Sequence, residues 1–213
     1  MSKIVRFLLW TLGITLVVAF ILRYTLLESW TVPANDAWMD ASVAPTLRSG
    51  DVVLLLTVGS PGFGDLARCR DPEEASRWVV GRIVGLEGDV VELQGSTAVV
   101  NGKRYTATDA CLEGHFKVDH PDTGSEVVVS CSRVEMAGGW HFEGSTGKAP
   151  AAEEKKWTVG PGRVFLLSDD RDVHDDSRDF GAVPLASCSG HVVFRLWSSR
   201  GWSDSKARMT VIR

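Results

Sequence analysis

Three stretches of this 213-residue chain concentrate the side chains that could do chemistry. In ASVAPTLRSGD, residues 41 to 51, Ser42 stands just before a proline turn, and in VVGRIVGLEGD, residues 79 to 89, Arg82 follows Gly81. In SDDRDVHDDSRDFG, residues 168 to 181, six aspartates and two arginines surround a single histidine, His174. A serine hydroxyl is a weak nucleophile unless a base removes its proton and donors hold the oxyanion that its attack creates. Histidine suits the base near neutral pH, and a carboxylate such as Asp170 or Asp176 would fix its tautomer, as in a serine, histidine, aspartate triad. The same aspartates favour the imidazolium, which is not a base, so the charge of the loop acts in both directions.

Two other readings of the loop compete with this one. In the plainer, His174 is a solvated side chain that partly neutralises its acidic neighbours. In the other, Asp170, Asp172, His174 and Asp175 hold a metal, but the loop lacks the ligand spacing and the sixth-position glycine of a calcium loop, which disfavours it. Asp176 with Arg178, and Arg171 with a neighbouring acid, read as a charge network that shapes the loop. Zinc is disfavoured too, since no CxxC or HxxxH spacing occurs. No metal and no cofactor is expected.

Groups of this kind act from a rigid frame, and the chain beyond residue 28 supplies one built of strands. GDVVLLL, residues 50 to 56, is a valine-rich apolar run after a turn glycine, the pattern of a buried strand. Residues 77 to 105 read as strand, glycine-broken turn, strand, and then a hairpin whose Asn101 and Gly102 suit the positive φ angles of a type I′ turn. WTVGPGRVFLL (157 to 167) and GHVVFRLW (190 to 197) add two more strands, and no long stretch beyond the first 28 residues has helical periodicity. Between these lie residues 106 to 156. There HFKVDH and SEVVVSCSRVEM alternate like strands, while GSTGKAPAAEEKK is polar and loop-like. The expected fold class is mainly β. A first core region spans 29–105, an insertion 106–156 and a second core region 157–213.

Residues 1–28 form the expected N-terminal membrane anchor. The run from Phe7 to Leu22 is uncharged, and about 20 such residues cross the hydrocarbon of a bilayer as a helix. No small-residue cleavage site follows it, and Arg23, Tyr24 and Glu28 resemble an interfacial flank, which favours a retained anchor over a cleaved secretory peptide. Lys3 and Arg6 precede the run while Glu28, Asp36 and Asp40 follow it, so the positive-inside rule places the bulk of the chain on the outer side. A bacterial inner membrane is favoured over a mitochondrial one, because no arginine-rich, acid-poor transit segment precedes the run. Outside the cytoplasm Cys69, Cys111, Cys131 and Cys188 are free to oxidise. All three pairings stay open, with Cys111–Cys131 preferred because the two bracket one local segment. With 44% hydrophobic and 23% charged residues the composition is globular, and a net charge of −4 gives no electrostatic reason to bind nucleic acid.

Taken in order, Ser42 with Pro45, Thr46 and Leu47, then GDVV, RIVGLEGD, and FLLxDxR with DSRxFGxVP, resemble the type I signal peptidase family, including its mitochondrial inner membrane relatives. The stretch LRYTLLESWTVP (22 to 33) is similar to the family's segment leaving the membrane. The resemblance covers about 22 to 105 and 157 to 197. It implies a signal-peptidase-like β fold and a membrane-anchored serine endopeptidase that cleaves signal peptides from exported preproteins. Ser42 matches the nucleophile, Arg82 the arginine after the general-base lysine, and Asp176, Ser177 and Arg178 the structural DSR. The implied partners are a preprotein, bound as an extended strand against a sheet edge with small side chains near the cut, and the lipid bilayer.

The chain departs from the family pattern at four places. Gly81 stands where the lysine base belongs. Asp40 stands where a small residue assists the oxyanion hole, and its charge would oppose an oxyanion there. Val43 replaces the usual methionine, and roughly six more residues separate Val32-Pro33 from Ser42. His174 takes the place of a small hydroxyl residue that in the family touches the lysine. It is therefore expected to point into the space that Gly81 leaves and to approach Ser42 as a replacement base. The rival expectation is a relative that keeps the fold and the peptide groove but binds without cutting.

Overall fold

The computed structural model describes residues 3–147, 155–204 and 207–212, without the side chains at 19 and 22–25, so most of the polar run expected as a loop lies outside the described residues. Helix α1 (Lys3–Thr25) leads into β1 (Leu27–Thr31) and the short helix α2 (Ala37–Ser42). Strands β2 (Val52–Leu56), β3 (Leu66–Arg70), β4 (Trp78–Gly85), β5 (Val90–Gln94), β6 (Thr97–Val100) and β7 (Lys103–Tyr105) follow. Next come β8 (Ala107–Asp119), β9 (Glu126–Met136), β10 (Gly139–Ser145), β11 (Lys156–Thr158) and β12 (Arg163–Leu167). Helix α3 (Ser177–Phe180), β13 (Val183–Pro184), a 3₁₀ turn (Leu185–Ser187), β14 (Cys188–Trp197) and β15 (Thr210–Val211) close the chain. The architecture is mainly β, as the strand patterns predict.

The main sheet runs β1-β2-β14-β3-β4-β12-β13, with β15 beside β14; β11-β5-β6-β7 form a second sheet and β10-β9-β8 a third. Strands β4 and β12 are central and buried on both faces, which is why their sequences run nearly continuously apolar. Strand β2 instead alternates, sending Val53 and Leu55 into the core. The expected hairpin turn lies between β6 and β7, with φ of 51° at Asn101 and 79° at Gly102. Strand β3, LARCR, has no apolar run to announce it. Its burial comes from pairing with β4 on one side and β14 on the other.

Two hydrophobic clusters fix the chain around Ser42. Val43 and Leu47 pack with Val53, Leu55, Val80 and Val192 of the main sheet. Ala41 and Ala44 pack with Val118 and Val129 of the third sheet and with Val173 of the acidic loop. The serine is thus wedged between the two sheets. Disulfides join Cys69 to Cys188, across β3 and β14, and Cys111 to Cys131, across β8 and β9, so the thiols are not metal ligands.

Among the described residues no helix is long and apolar enough to cross a membrane, so they do not establish the spanning anchor expected over 1–28. What they hold is the helix α1, whose apolar side chains, among them Ile4, Phe7, Trp10, Ile14, Val17 and Ile21, stand exposed.

Candidate active site

Helix α2 begins at Asp36, which has an extended backbone and accepts a hydrogen bond from the Met39 amide at 2.9 Å, satisfying one of the free N–H groups of the first turn. It ends at Ser42 because the Ala44–Pro45 segment cannot extend a helix. Ser42 is 2% exposed, and its Oγ donates to the Met39 carbonyl at 3.2 Å. Its carbonyl accepts from the Asp170 amide at 3.0 Å, which ties the serine directly to the acidic loop. The Asp40 carboxylate accepts from the Ser49 amide at 2.6 Å and closes the following turn.

The far end of the loop is a helix cap. Asp176 accepts from the Arg178 amide at 2.9 Å and Asp179 accepts from the Asp176 amide at 3.1 Å, a capping box around α3. The buried Asp176 carboxylate also takes the Ser168 amide at 2.7 Å and the Arg178 guanidinium at 2.7 Å. Burial opposes its charge, but Arg178 and these donors win and hold the carboxyl down to about 2.

His174 is seated on this cap, with Nδ1 2.8 Å from Asp179 Oδ2. The carboxylate that orients it is Asp179, and neither Asp170 nor Asp176. A carboxylate on Nδ1 makes that nitrogen the donor and leaves Nε2 as the basic atom. Among the described residues no hydrogen bond joins His174 to Ser42. Ligand atoms of His174, Asp176 and Asp179 lie within 4.8 Å of one another. The two carboxylates accept from Ser168, Arg178 and the Asp176 amide and so serve the cap of α3.

The space expected at Gly81 is filled. A Cβ on Gly81 would lie 3.0 Å from Leu166 Cβ and 3.3 Å from the Leu167 carbonyl oxygen, so β12 occupies the place where a lysine side chain would begin. Arg82, next in the chain, faces the other side of β4. Its Nε and Nη2 meet Asp169 Oδ1 at 2.9 Å and Oδ2 at 2.8 Å, with both residues fully buried, and Nη1 donates to the Gly64 carbonyl at 2.7 Å. The Thr46 hydroxyl completes the group by donating to Asp169 at 2.5 Å. Burial alone would raise the Asp169 carboxyl, but the fork of Arg82 outweighs it and keeps the group below the usual range. Through Thr46 this pair anchors the segment after Ser42 to β4.

The near end of the loop pairs with β10. Gly144 donates to the Asp169 carbonyl and accepts from the Arg171 amide, each at 2.8 Å. Arg171 meets Glu143 at 2.8 Å, so the network expected for Arg171 is completed by an acid 28 residues upstream. Here satisfaction is incomplete: among the described residues Asp170 Oδ2, Arg171 Nε and His141 Nε2 are buried without a hydrogen-bond partner. Asp170 Oδ1 accepts from the Asp172 and Val173 amides at 2.9 and 3.1 Å, yet burial pushes its carboxyl up to about 6. Burial, helped by Arg82, holds His141 neutral, down to about 2.

The structure therefore joins Ser42, Thr46, Arg82, Asp169 and Asp170 in one buried assembly, and sets His174 on the cap formed by Asp176 and Asp179. Of the partners not anticipated, Asp179 was marked by its spacing, three residues after the cap Asp176. Glu143 and His141 carry no sequence signal, because they reach the loop from the inserted sheet.

A family model described as signal peptidase, peptidase S26, matches residues 4–197. The chain is 25% identical over 218 residues to signal peptidase I of Pseudomonas aeruginosa, covering 90% of this chain and 71% of that protein. It is 26% identical over 163 residues to signal peptidase I of Streptococcus pneumoniae, covering 73% of this chain and 78% of that one. Among solved structures, a signal peptidase I from Enterococcus faecalis is 22% identical and covers 63% of this chain and 97% of its own, with a TM-score of 0.37.

Proposed function

This chain belongs to the signal peptidase family, peptidase S26, and from that premise we propose that it is a membrane-anchored serine endopeptidase that cleaves signal peptides from exported preproteins. Ser42 is the nucleophile and His174, oriented by Asp179, the base that replaces the missing lysine. The observation that carries this reading is the hydrogen bond from the Asp170 amide to the Ser42 carbonyl, because it couples the serine to the loop that bears the histidine. A carboxylate on Nδ1 is the arrangement that prepares Nε2 for proton abstraction from a serine.

The anchor is α1. Its row of exposed apolar side chains is a surface that water disfavours and a bilayer accommodates. Two disulfides favour an oxidising, extracytoplasmic location for the remainder, outside a bacterial inner membrane. The substrate lies as an extended strand, with small residues at the cut.

The test is cleavage of a signal-peptide-bearing preprotein by the purified full-length protein, with the new N-terminus determined. Ser42→Ala is expected to remove cleavage altogether, and a variant that still cuts at the wild-type rate would show that the nucleophile lies elsewhere. A second reading, a peptide-binding relative that does not cut, is favoured by one observation: Ser42 is 2% exposed and its hydroxyl is turned to the Met39 carbonyl. In that case the wild type binds a signal peptide and leaves it intact.

A further inference from the structure

Arg77 lies in the turn between β3 and β4 and, among the described residues, hydrogen-bonds to neither Ser42 nor His174, yet it reaches the segments that carry both. Its Nε donates to Asp36 Oδ2 at 2.9 Å and its Nη2 to Asp36 Oδ1 at 3.2 Å. Nη1 donates to Asp71 Oδ2 at 2.9 Å, and Nη2 also donates to Asp175. The three carboxylates come from three places. Asp36 caps α2, the helix ending in Ser42; Asp71 follows β3; Asp175 is the residue after His174.

We propose that Arg77 is a positioning residue that holds the serine helix in register with the histidine loop. This rests on the proposed roles of Ser42 and His174.

The chemistry favours arginine specifically. A planar guanidinium with five fixed donors can serve three carboxylates at once, which a lysine ammonium on a flexible stem cannot do with the same geometry. The turn itself is preset. Asp71 Oδ1 accepts from the Glu73 and Glu74 amides, and the Arg77 amide donates to the Glu74 carbonyl at 2.9 Å, so Arg77 is held before it engages either neighbour. An isolated surface ion pair would do little. This group is different, because the side chains of Arg77, Asp36, Asp71 and Asp175 are only 23%, 17%, 5% and 18% exposed. One cation faces three anions, so removing it leaves three clustered carboxylates to repel one another. The two segments that part are those of the proposed nucleophile and base.

The experiment combines kinetics with hydrogen exchange on the full-length protein. Arg77→Gln is expected to lower kcat roughly 10- to 100-fold, the size of effect that about 1 Å of misplacement causes, with KM little changed. Arg77→Lys should restore part of that loss. Deuterium uptake should rise in peptides covering 36–47 and 168–181 together. Asp175→Asn, which cuts one arm and leaves the α2 cap intact, should give the same pattern at smaller size, and it carries the test if Arg77→Gln does not fold. Unchanged kcat in folded variants, or extra exchange confined to the 71–77 turn, overturns the proposal. If the wild type does not cleave, the proposed function has failed, and joint exchange of the two segments still decides the clamp.

Discussion

Asp176 and Asp170 are two buried aspartates on one loop, six residues apart, and they are held in opposite ways. Asp176 receives the Arg178 fork and two backbone amides and is kept down to about 2, whereas Asp170 has one oxygen capped and the other without a partner and is pushed up to about 6. The acidic run looks uniform as a sequence, but charge is neutralised locally at Asp176 by Arg178 and at Asp169 by Arg82, and left uncompensated at Asp170. The uncompensated aspartate is the one whose amide holds the serine carbonyl. Natural cores seldom retain an unpartnered carboxylate oxygen without a reason, which is what makes Asp170 the more informative.

The largest expected effect comes from removing the satisfied aspartate. Asp176→Ala removes the cap of α3, the acceptor of the Ser168 amide and the partner of Arg178, and should cost about 3 to 5 kcal/mol in urea unfolding. In the wild type the Asp176 contribution has a definite pH signature. Its folded value lies below the ordinary 3.8, so the stability is present above that value and lost as the pH falls toward about 2.

Asp170→Asn should do the reverse. The folded value of Asp170 lies above 3.8, so its contribution is intact below that value and lost as the pH rises through about 6. The asparagine variant should gain on the order of 1 to 3 kcal/mol at pH 7 and nothing at pH 4, read from unfolding curves at both pH values. Equal stability of variant and wild type at pH 7 would mean that the two aspartates do not differ in the way described.

A third variant asks whether a lysine at position 81 can be accommodated. Because β12 fills the space beside Gly81, Gly81→Lys should lose about 1 to 3 kcal/mol from overpacking and gain no cleavage. The smallest stability effect belongs to Asp179→Asn, half exposed at the edge of the cap, at about 0.5 to 1 kcal/mol by thermal unfolding. Its effect on cleavage should be much larger than on stability, since it frees the His174 ring.

Much of the frame was legible in the residues. The valine-rich runs of β2, β4, β12 and β14 and the Asn101-Gly102 turn announce themselves, because burial and turn geometry act on neighbouring residues. Strand β3 was hidden, since LARCR owes its burial to partners on β4 and β14 far along the chain. Helix α2, at six residues, is too short for a periodicity to show. At the site, the order of motifs brought out Ser42, Arg82 and the DSR. It did not reveal that Leu166 and Leu167 close the space at Gly81, that Glu143 neutralises Arg171, or that Arg77 ties Asp36 to Asp175. These depend on which strands lie against one another, and residue spacing carries no record of that.

The central claim is that His174 serves as the base for Ser42, and one comparison tests it most directly. Purified wild type and His174→Ala, shown by circular dichroism to be equally folded, are assayed on the same signal-peptide-bearing preprotein. The account predicts that the wild type cleaves and the alanine variant does not, while undiminished cleavage by His174→Ala would contradict it.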